Sequence, residues 1–221
     1  MALIPLRDDS RRPAHFPLVT ASIIVLNSFM FFLELSGGDA FVIRWSVIPA
    51  DIVAGHHWTT VLTAMFMHGS WLHIIANMVF LWAFGPEIED AMGPWRYLAF
   101  YLLGGVAATL AQVAVVPDST VPNLGASGAI AAVMGAFLMA YPSDRIRCLL
   151  VIFWYVGSTR IPAALLIGLW ILTQFLNLGT IAEDVTGGVA YAAHVGGFIF
   201  GVATARLFAR PEQPGEQSGA A

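Results

Sequence analysis

Two short motifs carry the residues with the clearest chemical potential: Ser127 in Gly125-Ala126-Ser127-Gly128, and His194 in Ala193-His194-Val195-Gly196-Gly197. A serine hydroxyl is a poor nucleophile until a neutral imidazole accepts its proton, and burial favours the neutral ring. A pair of this kind can attack a carbonyl and form an acyl intermediate. Pro122 and Asn123 precede the serine and suit a turn followed by a helix start. The first amide N–H groups of that helix, near Ala126 and Ser127, lack intrahelical acceptors and would face the negative charge that develops during attack. Gly125 and Gly128 leave room for a second backbone, which matters when the substrate is itself a peptide.

A third group lies upstream. His73 and Asn77 are spaced i, i+4 and so share one helix face, with His68 five residues earlier. Such a face could donate hydrogen bonds to an oxyanion, or it could serve only as an interhelical hydrogen-bond cluster. The serine and histidine motifs, each taken alone, also read as packing features in a chain rich in Gly and Ala. Neither helix carrying them has an Asp or Glu away from its ends, so a Ser/His dyad is the economical combination.

These residues need a scaffold, and the composition says which medium holds it. The 221 residues are 58% apolar and only 11% charged, with a mean hydropathy of +0.75, far too little polar surface for a soluble globule. Charge-free stretches run over 13–33, 52–86, 97–117, 119–143, 161–182 and 185–205. Each is long enough to cross ~30 Å of hydrocarbon as a helix. Helices are predicted near 18–35, 70–91, 95–116, 125–141, 161–178 and 187–208, giving an all-α integral membrane protein with six spans. A seventh apolar run, 148–159, has 12 residues, too short to span, and reads as a re-entrant or surface segment.

Topology follows from the arginines. With the N-terminus inside and six spans, nine of the ten arginines become cytoplasmic and only Arg44 lies outside, with no lysine in the chain; this is the positive-inside pattern. Ser127, His194, His73 and Asn77 then reach one level near the extracytoplasmic surface. The net charge of −4 gives no footprint for nucleic acid. The first apolar stretch lacks a small-residue cleavage site and reads as a retained signal-anchor. Cys148 is the lone cysteine, so neither a disulfide framework nor a metal cluster is expected.

The organisation expected is a short arginine-bearing arm over 1–17, a membrane domain over 18–208 and a Pro-, Gly- and Gln-rich flexible tail over 209–221. The connection 36–67 stays apolar, with Trp45, Val47, Ile48, Ile52, Val53 and Trp58, and should lie against the outer leaflet. Gly104, Gly105, Gly128, Ala132, Gly135, Gly197 and Gly201 should bring the later helices close together.

Taken together, His68-Gly-Ser-Trp-Leu-His73-Ile-Ile-Ala-Asn77, Gly125-Ala-Ser127-Gly-Ala-Ile-Ala-Ala and Ala193-His194-Val-Gly-Gly197 resemble the rhomboid intramembrane serine proteases in order, spacing and host helices, over about 18–208. The resemblance implies a six-helix rhomboid-like bundle without a cofactor. It implies Ser127 as nucleophile and His194 as base, with an oxyanion hole formed by the amides near Ala126 and Ser127 and the side chains of His73 and Asn77. His68 would be structural, and Gly135, Gly197 and Gly201 would draw the fourth and sixth helices together. Substrates would be membrane proteins cut near the outer end of a helix that unwinds easily.

Two departures stand out. The aromatic residue that many rhomboids carry four positions after the serine, stacked on the histidine, is Ala131 here, and Tyr191 is expected to support the imidazole instead. The family's Trp-Arg pair is incomplete, with Thr59 after Trp58, and Ala91 stands where some members have arginine, while Glu89 and Gly93 keep part of that pattern. A bare core with a short arm fits a prokaryotic plasma membrane. No His-Glu-x-x-His occurs, which leaves zinc proteolysis unsupported. A transporter or channel remains open, since His, Asn, Ser and Gln112 could line a polar path, as does a rhomboid-like protein that binds membrane clients without cutting.

Overall fold

The computed structural model describes residues 2–178 and 190–210. Among them the order is β1 (Ala2–Asp8), α1 (Leu18–Trp45), α2 (Pro49–Val53), α3 (Thr60–Thr63), a 3-10 turn (Ala64–Phe66), α4 (Trp71–Met92), α5 (Pro94–Val115), α6 (Ser127–Ala140), β2 (Arg145–Ile152), β3 (Tyr155–Pro162), α7 (Ala163–Asn177) and α8 (Tyr191–Phe208). α1, α4 and α5 are long and apolar enough to cross a membrane, and α6 and α7 are shorter apolar helices. The chain is thus a largely helical membrane protein. Most of the tail expected over 209–221, and the start of the helix expected from 187, fall outside the described residues.

Packing follows the small residues. α6 is buried along almost its whole length, from Gly128 to Phe137, and α8 lies directly against it. A Cβ on Gly197 would strike the Gly128 carbonyl, one on Gly201 the Ala132 carbonyl, and one on Gly135 would sit 2.5 Å from the Phe198 oxygen. The two backbones therefore touch, which only glycine at these positions permits. Aromatic rings close the remaining space, as where Phe84 meets Phe137 edge-on at 5.2 Å.

The helix ends are held by side chains. Ser70 caps α4 by accepting the His73 N–H at 3.2 Å. Glu89, near the end of α4, accepts the Val19 and Thr20 N–H groups at 2.9 and 2.8 Å and the Thr20 hydroxyl at 2.8 Å. A carboxylate there satisfies orphan donors of α1 and complements its dipole, for about 1 kcal/mol. Gly93, at φ +81°, turns the chain from α4 into α5. Beside it, the Arg210 N–H donates to the Ala91 carbonyl at 3.0 Å.

The expectation of a purely helical chain needs correction. The run 148–159 lies in a β-hairpin, and the arm expected over 1–17 supplies the third strand, giving an antiparallel sheet in the order β1-β2-β3. Ala2 pairs with Val151 and Asp8 with Ile146. Too short to span as a helix, the run satisfies its backbone by strand pairing, with Ile146 and Cys148 turned into the core and Arg145 outward. Asp9 ties the strands by accepting from Arg147 and Arg160. Arg11 pairs with Asp144 and lies 3.7 Å over the Tyr141 ring.

Asp8, beside this group, is buried. Its burial raises the carboxyl from 3.8 to about 6, and the neighbouring Asp144 adds to the rise while the Ser10 N–H opposes it. Because the folded pKa lies above the unfolded one, the folded state keeps a proton that the unfolded chain releases, and stability falls as pH rises through that window. Asp8→Asn is expected to remove this part of the slope and to melt no lower than the parent at pH 7.5, as thermal melts between pH 4 and 8 would show.

The connection 36–67 carries helices of its own. α1 continues past a break at Gly38 (φ 62°, ψ −162°) to Trp45. Val47, Ile52, Val61 and Ala64 then form a small core with Val113 of α5, so the segment packs into the protein, while Trp58 remains exposed. Its backbone is pinned to the strand of chain before α6: Val47 and Asn123 exchange N–H···O bonds at 2.9 and 2.7 Å, and the Gly125 N–H donates to the Ala64 carbonyl at 2.8 Å. The long first connection thereby fixes the approach to Ser127.

Candidate active site

Ser127 opens α6 and His194 lies one turn into α8. Their side chains meet: the Ser127 Oγ is 2.7 Å from His194 Nε2. The glycine contacts between α6 and α8 account for this approach, since any side chain there would hold the helices apart. The start of α8 is secured by α5, where buried Gln112 accepts the Ala193 N–H at 3.2 Å through Oε1. This bond satisfies one of the orphan donors in the first turn of α8. Gln112 is thus a helix cap.

Gly125 adopts φ +127° and packs against His73. A Cβ at this position would come within 2.8 Å of His73 Cε1 and Nε2 and within 3.7 Å of the serine Oγ. His73 therefore stands near the serine, on the far side of Gly125. Asn77, one turn further along α4, is buried with its amide nitrogen lacking a hydrogen-bond partner. A buried, unmade donor of this kind is costly unless a ligand atom completes it. The amides of the first turn of α6, Ser127 among them, lack intrahelical acceptors.

His68 is buried behind His73, the two rings edge-on with centroids 5.1 Å apart. Its backbone N–H donates to both carboxylate oxygens of Glu34 on α1, at 2.8 and 3.0 Å. This arrangement positions the start of α4. Among the described residues no group of three or more His, Cys, Asp or Glu side chains is placed to hold a metal ion.

Two contacts on His194 lie outside the three motifs. Its Nδ1 is 2.7 Å from Gln174 Oε1, and the Trp170 ring lies against the imidazole with centroids 5.5 Å apart, tilted by 38°. Both come from α7. The aromatic ring beside the imidazole is thus Trp170 of α7; Tyr191, expected to support it, opens α8, and Ala131 is fully buried on α6. A signal for them existed, because Gln174 is a polar residue in an apolar span and Trp170 precedes it by one helical turn.

A model of the rhomboid domain matches residues 55–211, most of the chain and all three motifs. The chain belongs to the rhomboid family. It is 28% identical over 200 residues to rhomboid protease GluP of Bacillus subtilis, covering 89% of this chain and 36% of that protein. It is 32% identical over 144 residues to the bovine presenilin-associated rhomboid-like protein, mitochondrial, covering 64% of this chain and 36% of that one. It is 27% identical over 176 residues to rhomboid protein 1, mitochondrial, of Saccharomyces cerevisiae, covering 73% and 44%. This rhomboid chain thus spans less than half the length of these relatives. Because they include bacterial and mitochondrial proteins, membership does not single out the prokaryotic plasma membrane that the bare core suggests.

Proposed function

We propose that this chain is an intramembrane serine endopeptidase that cleaves transmembrane segments of other membrane proteins. The observation that carries the reading is the 2.7 Å contact between Ser127 Oγ and His194 Nε2, beside a buried and unpartnered Asn77 amide. Ser127 attacks the substrate carbonyl as His194 takes its proton. The oxyanion is received by the α6 amides near Ala126 and Ser127 and by His73 and Asn77. His194 then protonates the leaving amine, and water releases the acyl group by the same route in reverse. A narrow recess lined by Met65, Ala108, Leu124, Gly125, Ser127 and Ala193 adjoins the nucleophile, and its narrowness suits a small residue at the cleaved bond.

The proposed membrane domain spans 18–208 with six crossings and the N-terminus on the arginine-rich side. This orientation opens the site to the opposite face, in contact with lipid. A transporter is less favoured, because Gln112 is spent on the Ala193 N–H and Ser127 and His194 are spent on each other. A non-cutting client-binding protein would have no need of that pair.

The test is cleavage of a model single-span substrate by protein reconstituted in liposomes. The parent is expected to cut, and Ser127→Ala and His194→Ala are expected to fall to background. Equal cutting by all three would refute the proposal. In the same assay Asn77→Ala is expected to lower kcat by about 10²- to 10³-fold with KM little changed, the mark of a donor used in the transition state.

A further inference from the structure

The serine-protease reading leaves open what selects the protonation state of His194, and α7 supplies a physical reason. The Gln174 amide nitrogen lies 3.1 Å from the Trp170 carbonyl and 2.9 Å from Thr173 Oγ1. The Thr173 hydroxyl in turn donates to that same carbonyl at 2.6 Å. A backbone carbonyl only accepts, so the NH2 end of Gln174 must face Trp170, and the oxygen end must face His194. An amide oxygen also only accepts. The His194 Nδ1, at 2.7 Å, must therefore carry the ring hydrogen, which leaves the lone pair of the neutral imidazole on Nε2, toward Ser127.

We propose that Gln174 is a positioning residue of the site: held by the Trp170 carbonyl and Thr173, it fixes His194 in the Nδ1–H tautomer that leaves Nε2 free to take the serine proton. The chain of bonds has one direction, from the Ser127 hydroxyl to Nε2 and from Nδ1–H to the Gln174 oxygen. It does without a carboxylate, and it accounts for a polar residue, buried on a helix that otherwise buries only Ala163, Ile167 and Ile171. Trp170 adds a flat wall that limits rotation of the imidazole. A wrong tautomer would place an N–H against the serine oxygen and remove the base. The proposal builds on the serine-protease reading above, but the tautomer can be measured without any cleavage.

The experiment uses histidine-15N-labelled full-length protein in detergent or nanodiscs, with the His194 signals assigned by their loss in His194→Ala. The parent is expected to show protonated Nδ1 and unprotonated Nε2. Gln174→Leu is expected to mix the two tautomers and to lower kcat by about 10- to 100-fold with KM within twofold. Gln174→Glu, which restores an oxygen acceptor, is expected to return the Nδ1–H form and much of the rate. A parent in the Nε2–H form, or a Gln174→Leu variant that keeps both the single tautomer and the parental kcat, overturns the proposal. Should Gln174→Leu fail to fold, the parent and Gln174→Glu spectra still decide it. A parent that shows the Nδ1–H form but cuts no substrate in any assay counts against the protease reading and leaves the role of Gln174 in orienting the ring intact.

Discussion

Replacing both Ser127 and His194 by alanine is expected to cost no more activity than replacing either one. Each single change should lower kcat on the order of 10⁴-fold or more, because the hydroxyl is inert without its base and the imidazole has nothing to activate without the hydroxyl. Independent contributions would multiply, whereas a pair acting through one 2.7 Å hydrogen bond fails as a unit. The measurement is single-turnover cleavage of a transmembrane substrate by the parent, both single variants and the double variant, each checked for an unchanged melting temperature. A double variant far slower than both singles would mean that the two side chains act separately.

The second large effect concerns the glycines. A methyl group at Gly197 or Gly201 collides with a backbone carbonyl of α6, that of Gly128 or Ala132, and backbone cannot rotate away as a side chain does. Gly197→Ala and Gly201→Ala are each expected to destabilise the fold by about 3 kcal/mol. At 2–4 °C per kcal/mol for a chain of this size, that is a fall of roughly 6–12 °C in Tm. Activity should fall further than stability alone explains, since any separation of α6 from α8 lengthens the serine–histidine contact. Gly168 on α7 is the control. A Cβ there meets nothing within 4 Å, so Gly168→Ala should be neutral or slightly stabilising through helix propensity.

Much of this was legible in the sequence for a specific reason. Polar groups within apolar spans are few, so Ser127, His194, His73 and Asn77 stand out, and helix periodicity is enough to place His73 and Asn77 on one face. The glycines at 128, 197 and 201 could be read as packing residues because lipid gives helices little other reason to carry them. What escaped depends on contacts between distant segments. Residues 2–8 pair with 146–151 across more than half the chain, and an apolar run of that length has no periodicity that separates strand from surface segment. Gln174 was obscured by context: one amide in an apolar stretch becomes significant only when the fold shows that it faces the ring of His194 and not lipid. The aromatic neighbour of the imidazole, Trp170, comes from a different helix, α7, so helix packing and not proximity in sequence reveals it.

The most direct measurement of the central claim is covalent capture. Reconstituted protein is treated with a fluorophosphonate, which reacts with a serine only when its hydroxyl is activated, and the modified residue is located by peptide mass spectrometry in the parent and in His194→Ala. The expected result is a phosphonylated Ser127 in the parent and no adduct when the imidazole is gone. An unmodified Ser127 in protein that nonetheless cleaves substrate, or equal labelling with and without His194, would contradict a nucleophile activated across the α6–α8 contact.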